Sequence, residues 1–144
     1  MNFNHYFTND ELAENLSGWV DKYPALAALS SLGKSYEGRE IPVLTLTNQA
    51  SGPDTDKPAI WIDANIHSSE VAGSSACLYF INKLVKEYGK NADITRCLDS
   101  RVMYICPRIN PDGAEWALAD TPKIIRSSTR SYPYDEEQID GLDI

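Results

Sequence analysis

"AIWIDANIHSSEVAGSSACLYFINKLV", residues 59–85, decides the fold. Its opening, Ala59 to Asp63, is a short continuous apolar run, the pattern of a strand buried on both faces, and "RVMYICP" at 101–107 has the same character. Between the two runs, Cys77, Leu78, Ile81, Leu84, Val85 and Tyr88 supply a broad apolar side and predict a helix from about Val71 to Lys86. Strand, helix and strand in that order predict a right-handed parallel crossover, and with it an α/β sheet with helices on both faces.

Upstream, "LAALSSLGKSYEGREIPVLTLT" reads as two strands joined by a turn around Gly38, so an antiparallel hairpin precedes the parallel unit and the sheet is mixed. Ile41, Val43 and Thr45 share one face, and Pro42 points to an edge strand because proline cannot donate to a ladder. Before the hairpin, Thr8-Asn9-Asp10-Glu11 fits a capping box, and Leu12, Leu16, Trp19 and Val20 follow as one helical stripe that must end by Tyr23-Pro24. The polar segment "NQASGPDTDKP" reads as a surface loop. Downstream of 107, "NPDG" reads as a turn, with a short helix from Ala114 to Ala119.

The 144 residues, 42% hydrophobic, suit one domain with its own core, and residues 127–144, which end in an acidic cluster, are expected to be mobile. A net charge of -8 argues against nucleic acid or an anionic membrane surface as partner. The chain opens without a basic, apolar leader and contains no run of the roughly 20 apolar residues that cross a bilayer. Three cysteines in apolar settings favour a reducing compartment, and a cytoplasmic location is expected.

Gly33-Lys34-Ser35 ends like a phosphate-binding loop, but Ala28 stands where the leading glycine belongs, and a turn and strand follow in place of a helix. No G-x-S-x-G, C-x-x-C or G-x-G-x-x-G occurs. What remains is His67 with Glu70, placed where the run 59–63 gives way to the helix, the end of a strand where open α/β sheets hold their sites. One imidazole and one carboxylate three positions apart can converge on a metal, although the helix dipole alone also favours a first-turn glutamate.

"GKSYEGREIPVLTLT", "PAIWIDANIHSSEVAGSSACLYFINKLV", "RVMYICPRINPDGAEWAL" and "RSSTR" occur in the order and near the spacing of the zinc carboxypeptidases of the carboxypeptidase A type, and the likeness runs from about Thr8 to Asp135. The resemblance implies Zn2+ bound by His67 and Glu70, a substrate cleft bordered by the loop of Asn110 and Asp112, and Arg126, with Arg130 second, facing the developing oxyanion of a peptide or protein C-terminus. Arg108 is read as a loop anchor. The third zinc ligand and the general-base glutamate of the family have no match here, since the other histidine is His5, so the chain is expected to be the N-terminal half of such a domain and inactive alone. An incomplete sheet is expected to self-associate through its exposed edge. Ser69, where digestive-type members carry arginine, tilts the expectation toward a bacterial-type enzyme. A zinc amidase or deacylase of the same fold, or a noncatalytic binding module, are the alternatives.

Overall fold

The structure, a computed structural model, describes residues 2–129. Helix α1 (Asn9–Lys22) starts at the capping box: the Thr8 hydroxyl accepts from the Glu11 amide at 3.2 Å, and the Glu11 carboxylate accepts from the Thr8 amide at 2.8 Å. These two bonds satisfy donors that every helix start leaves orphaned. Leu12, Leu16 and Trp19 are buried, so the stripe docks as its spacing requires. The helix stops at Tyr23, the residue before Pro24.

Strands β1 (Ala27–Lys34) and β2 (Glu40–Leu46) form the expected antiparallel hairpin, with Gly38 at φ +85° in its turn. Two later strands, β3 (Ala59–Asp63) and β4 (Val102–Cys106), run parallel to each other, and β4 is antiparallel to β2. The sheet order is β1-β2-β4-β3. Pro42 therefore does not mark an edge strand, because β2 lies inside the sheet; the proline sits ahead of Leu44–Leu46, the stretch that pairs with β4, so its missing amide falls outside that ladder.

The expectation that Ala59–Asp63 is buried on both faces is corrected. Among the described residues β3 has a neighbour on one side only, and Ile60 and Trp61 are 50% and 47% exposed. β4, flanked on both sides, fits the expectation far better: Val102, Met103, Ile105 and Cys106 are buried. An apolar run signals affinity for a sheet, but the number of neighbours decides how far it is buried.

Between β3 and β4 stand two helices where one was expected. α2 (Ala72–Glu87) buries Cys77, Leu78, Ile81, Leu84 and Val85, and after Gly89 (φ +76°) Asn91 caps α3 (Ala92–Ser100) by accepting from the amides of Asp93 and Ile94. Leu98 of α3, Leu12 and Leu16 of α1 and the apolar side of α2 meet Leu44, Leu46, Met103 and Ile105 of the sheet in one core. The loop between β2 and β3 contains two short 3-10 turns and is stapled by Lys57, whose ammonium donates to Thr47 Oγ1, Asn48 O and Ser51 Oγ at 2.8, 2.6 and 2.9 Å.

The stretch "NPDG" is not a free turn. Asn110 is the N-cap of α4 (Pro111–Leu118), its Oδ1 accepting from the Gly113 amide at 2.9 Å, and Pro111 occupies the position where a helix needs no amide hydrogen. Ser127 is fully buried, while residues 130–144 of the segment expected to be mobile lie outside the described residues. No helix among the described residues is long and apolar enough to cross a membrane.

Candidate metal centre

Because β3 and β4 are parallel, the loops that leave them emerge at the same end of the sheet, and this brings the 64–71 loop against Asn110. The ladder continues into the loops: the Ile109 amide donates to Ala64 O at 3.0 Å and the Asn110 amide to Asn65 O at 3.1 Å. His67 and Glu70 sit on a turn closed by the Glu70 amide donating to His67 O at 3.2 Å. That turn places His67 Nδ1 3.1 Å from Glu70 Oε2. The imidazole is 22% exposed and the carboxylate 61%, so both heads reach solvent.

An imidazole nitrogen and a carboxylate oxygen this close on one turn are two donors of a kind zinc takes. They fit as part of a zinc site. Catalytic zinc takes three protein donors, and among the described residues no three His, Cys, Asp or Glu side chains gather to hold a metal. His5 is engaged elsewhere: its Nε2 meets Glu11 Oε1 at 3.1 Å at the start of α1, and its ring packs against Phe7.

Arg126 is brought to the same loop through its backbone. The Ser68 amide donates to Arg126 O at 3.0 Å, the buried Ser68 hydroxyl donates to Ile125 O, and Asn110 Nδ2 donates to Ile66 O at 3.1 Å and Ser127 O at 2.6 Å. Asn110 thus joins three segments, the 64–71 loop, the start of α4 and the 125–127 strip. Arg130 lies outside the described residues.

Asp112 is engaged by the β1–β2 turn. Its carboxylate, 4% exposed, accepts from Ser35 Oγ at 2.7 Å, the Glu37 amide at 2.9 Å and Arg39 at 2.8 Å, so it fastens α4 to the β1–β2 turn. Arg108 is the anchor its position suggested. Its guanidinium, 1% exposed, donates to Asn65 Oδ1 at 3.0 Å, Asn9 Oδ1 at 2.9 Å and Phe7 O at 2.8 Å, and burial pushes it down to about 10, still charged at neutral pH. Gly113 is a close-approach position: a Cβ there would stand 2.6 Å from Ser68 Cβ and 2.7 Å from Asn110 Nδ2.

The sequence reading singled out neither Asn65 nor Ser68. Asn65 is buried at φ +57°, and its Nδ2 donates to the carbonyls of His67 and Ser68 at 2.7 and 3.2 Å. An asparagine two residues past the end of a strand was the available signal, since it is among the few L residues that tolerate a left-handed backbone.

The family model described as zinc carboxypeptidase (peptidase M14) matches residues 12–144. Carboxypeptidase A2 of Rattus norvegicus is 33% identical over 131 residues, 91% of this chain and 30% of its own length. A zinc carboxypeptidase of Saccharothrix mutabilis subsp. capreolus is 34% identical over 114 residues, covering 79% of this chain and 26% of its own. The crystal structure of thrombin activatable fibrinolysis inhibitor superposes with a TM-score of 0.85 at 25% identity, covering 98% of this chain and 34% of that one. The chain therefore spans about a third or less of the length of these proteins.

Proposed function

Because the chain belongs to the zinc carboxypeptidase family, we propose that its native-length protein is a zinc-dependent carboxypeptidase that hydrolyses the last peptide bond of peptides or proteins. The observation that carries this is the 3.1 Å approach of His67 Nδ1 to Glu70 Oε2 on the turn after β3. These two side chains are the proposed zinc ligands from this chain. Bound zinc would supply Lewis acidity to a water and to the scissile carbonyl.

The remaining roles belong to this chain's own groups. Arg126 is the proposed cation facing the oxyanion, supported by the bond that ties its carbonyl to the residue after His67. Arg130 is its alternative. Asn110 holds the ligand loop to the arginine strip and is the proposed wall of the substrate cleft. With two of the three donors a catalytic zinc needs among the described residues, the 144-residue chain is proposed to be inactive by itself. Ser69 supports a substrate preference unlike that of digestive members and nearer bacterial-type enzymes, and the free cysteines are compatible with a cytoplasmic location.

The test uses the native-length protein. Zinc is counted per chain by emission spectroscopy, and release of C-terminal residues is followed on a peptide panel beside acyl amino acids. Stoichiometric zinc with peptide cleavage, both lost in His67→Ala and Glu70→Ala, is expected. Cleavage of acyl amino acids alone would replace the reading with an amidase or deacylase, and zinc without hydrolysis would replace it with a binding module.

A further inference from the structure

The loop that carries His67 and Glu70 is bent by one residue. Asn65 is the only non-glycine position among the described residues with a positive φ, and it is 4% exposed. Its side chain uses its full capacity of two donors and two acceptors. Nδ2 donates to His67 O and Ser68 O, while Oδ1 accepts from Arg108 Nε at 3.0 Å and from the Ser74 hydroxyl at 3.4 Å. The orientation of the amide is set by this arrangement, because a guanidinium can only donate and a carbonyl can only accept.

The consequence falls on one peptide unit, the bond between His67 and Ser68. Its carbonyl is held by Asn65 Nδ2 at 2.7 Å, and its amide donates to Arg126 O at 3.0 Å. With both edges of that plane tied, the ψ rotation of His67 is restrained, and this narrows the directions in which the imidazole can leave the chain.

We propose that Asn65, clamped by the buried Arg108, is the positioning residue of the metal-ligand loop: through the His67–Ser68 peptide it aims His67 at Glu70 before any metal arrives. This rests on the two-donor zinc centre proposed above. Outer groups that orient metal ligands typically change metal affinity about 10- to 100-fold when removed.

Two substitutions separate aim from backbone shape. Asn65→Gly keeps the positive φ at no steric cost and deletes every side-chain bond. Asn65→Asp also tolerates this φ and keeps the bond to Arg108, but sets an acceptor oxygen against the two carbonyls that Nδ2 held. Zinc affinity of the native-length protein is measured by competition with a chromophoric chelator, with the urea midpoint of the zinc-free protein beside it and His67→Ala and Glu70→Ala as references. Both Asn65 variants are expected to bind zinc about 10- to 100-fold more weakly than the unaltered protein. If His67→Ala and Glu70→Ala lose zinc while both Asn65 variants bind it like the unaltered protein, the positioning role is overturned and the metal centre stands. A lowered urea midpoint with unchanged zinc affinity overturns it equally. Unchanged zinc affinity in His67→Ala and Glu70→Ala would overturn the centre itself.

Discussion

Replacing Gly113 by alanine sets two known effects against each other. In a helix interior, Gly→Ala gains about 1 kcal/mol from backbone propensity. At Gly113 the added methyl would stand 2.6 Å from Ser68 Cβ, 2.7 Å from Asn110 Nδ2 and 3.0 Å from Asn110 Cγ. Neither neighbour is the loose end of a flexible chain: Ser68 is fully buried with its amide bonded to Arg126 O, and the Asn110 amide is committed to Ile66 O and Ser127 O. Overpacking typically costs about 1–3 kcal/mol, and two simultaneous contacts on anchored groups place this site in the upper half of that range. A net loss of about 1–2 kcal/mol is expected, or a few degrees in melting temperature. Gly18 in α1 is the matched control, since a Cβ there meets nothing within 4 Å, and Gly18→Ala is expected to gain up to about 1 kcal/mol. Urea denaturation of both variants, zinc-free, reads the difference directly. A Gly113→Ala protein as stable as the parent would refute the reasoning, because it would mean that α4 and the ligand loop are not in rigid contact.

Other outcomes are open to direct measurement. If the proposed carboxypeptidase activity holds, changing Arg126 to alanine in the native-length protein is expected to lower kcat about 100- to 1000-fold, as for loss of an oxyanion donor, whereas a small effect with a large one at Arg130→Ala would transfer the role. The backbone amide of Thr8, above all, holds the Glu11 carboxyl below the usual carboxylate range, so its stabilisation is present above the unfolded pKa and lost as pH falls through the folded one. The stability deficit of Glu11→Ala should accordingly be full at pH 7 and shrink in acid, as urea titrations at both ends would register. Burial pushes the thiols of Cys77 and Cys106 up to about 11, so at pH 8 a thiol reagent should modify them only after unfolding, which mass spectrometry of native and denatured samples would show. The 144-residue chain alone is expected to self-associate through β3, and Trp61→Lys should reduce the associated fraction seen by light scattering.

What the sequence discloses depends on how far apart the interacting residues are. α1 was legible to the residue because its start is a bond between Thr8 and Glu11 and its end is Pro24, all local. The closeness of His67 to Glu70 was legible for the same reason, three positions on one turn. α3 escaped because its nine residues are shorter than the stretch over which a helical stripe is read, although Asn91 announces its start. Exposure of Ile60 and Trp61 was not legible, because it is set by which strand lies beside β3 and not by the run itself. The support of the site was hidden most deeply: Arg108 reaches Asn65 across 43 positions, and the Ser68 hydroxyl reaches Ile125 across 57. Gly113 was read as part of a turn, when its lack of a side chain is what lets Ser68 approach.

The strand order β1-β2-β4-β3 also fixes a timetable for synthesis. β2 can zip to β1 as soon as its last residue emerges, since their partners are close in the chain. β3 cannot do the same, because its partner β4 follows roughly forty residues later and must first settle beside β2. At roughly 5–20 residues per second, an emerging chain leaves "AIWID" without its ladder for about 2–8 seconds. Through that interval α2 is complete before β4 exists, so the apolar core it shares with Ile62 can begin to form before the ladder does. The nascent protein therefore carries β3 without its ladder in mid-synthesis, after β1 and β2 have paired and before β4 arrives.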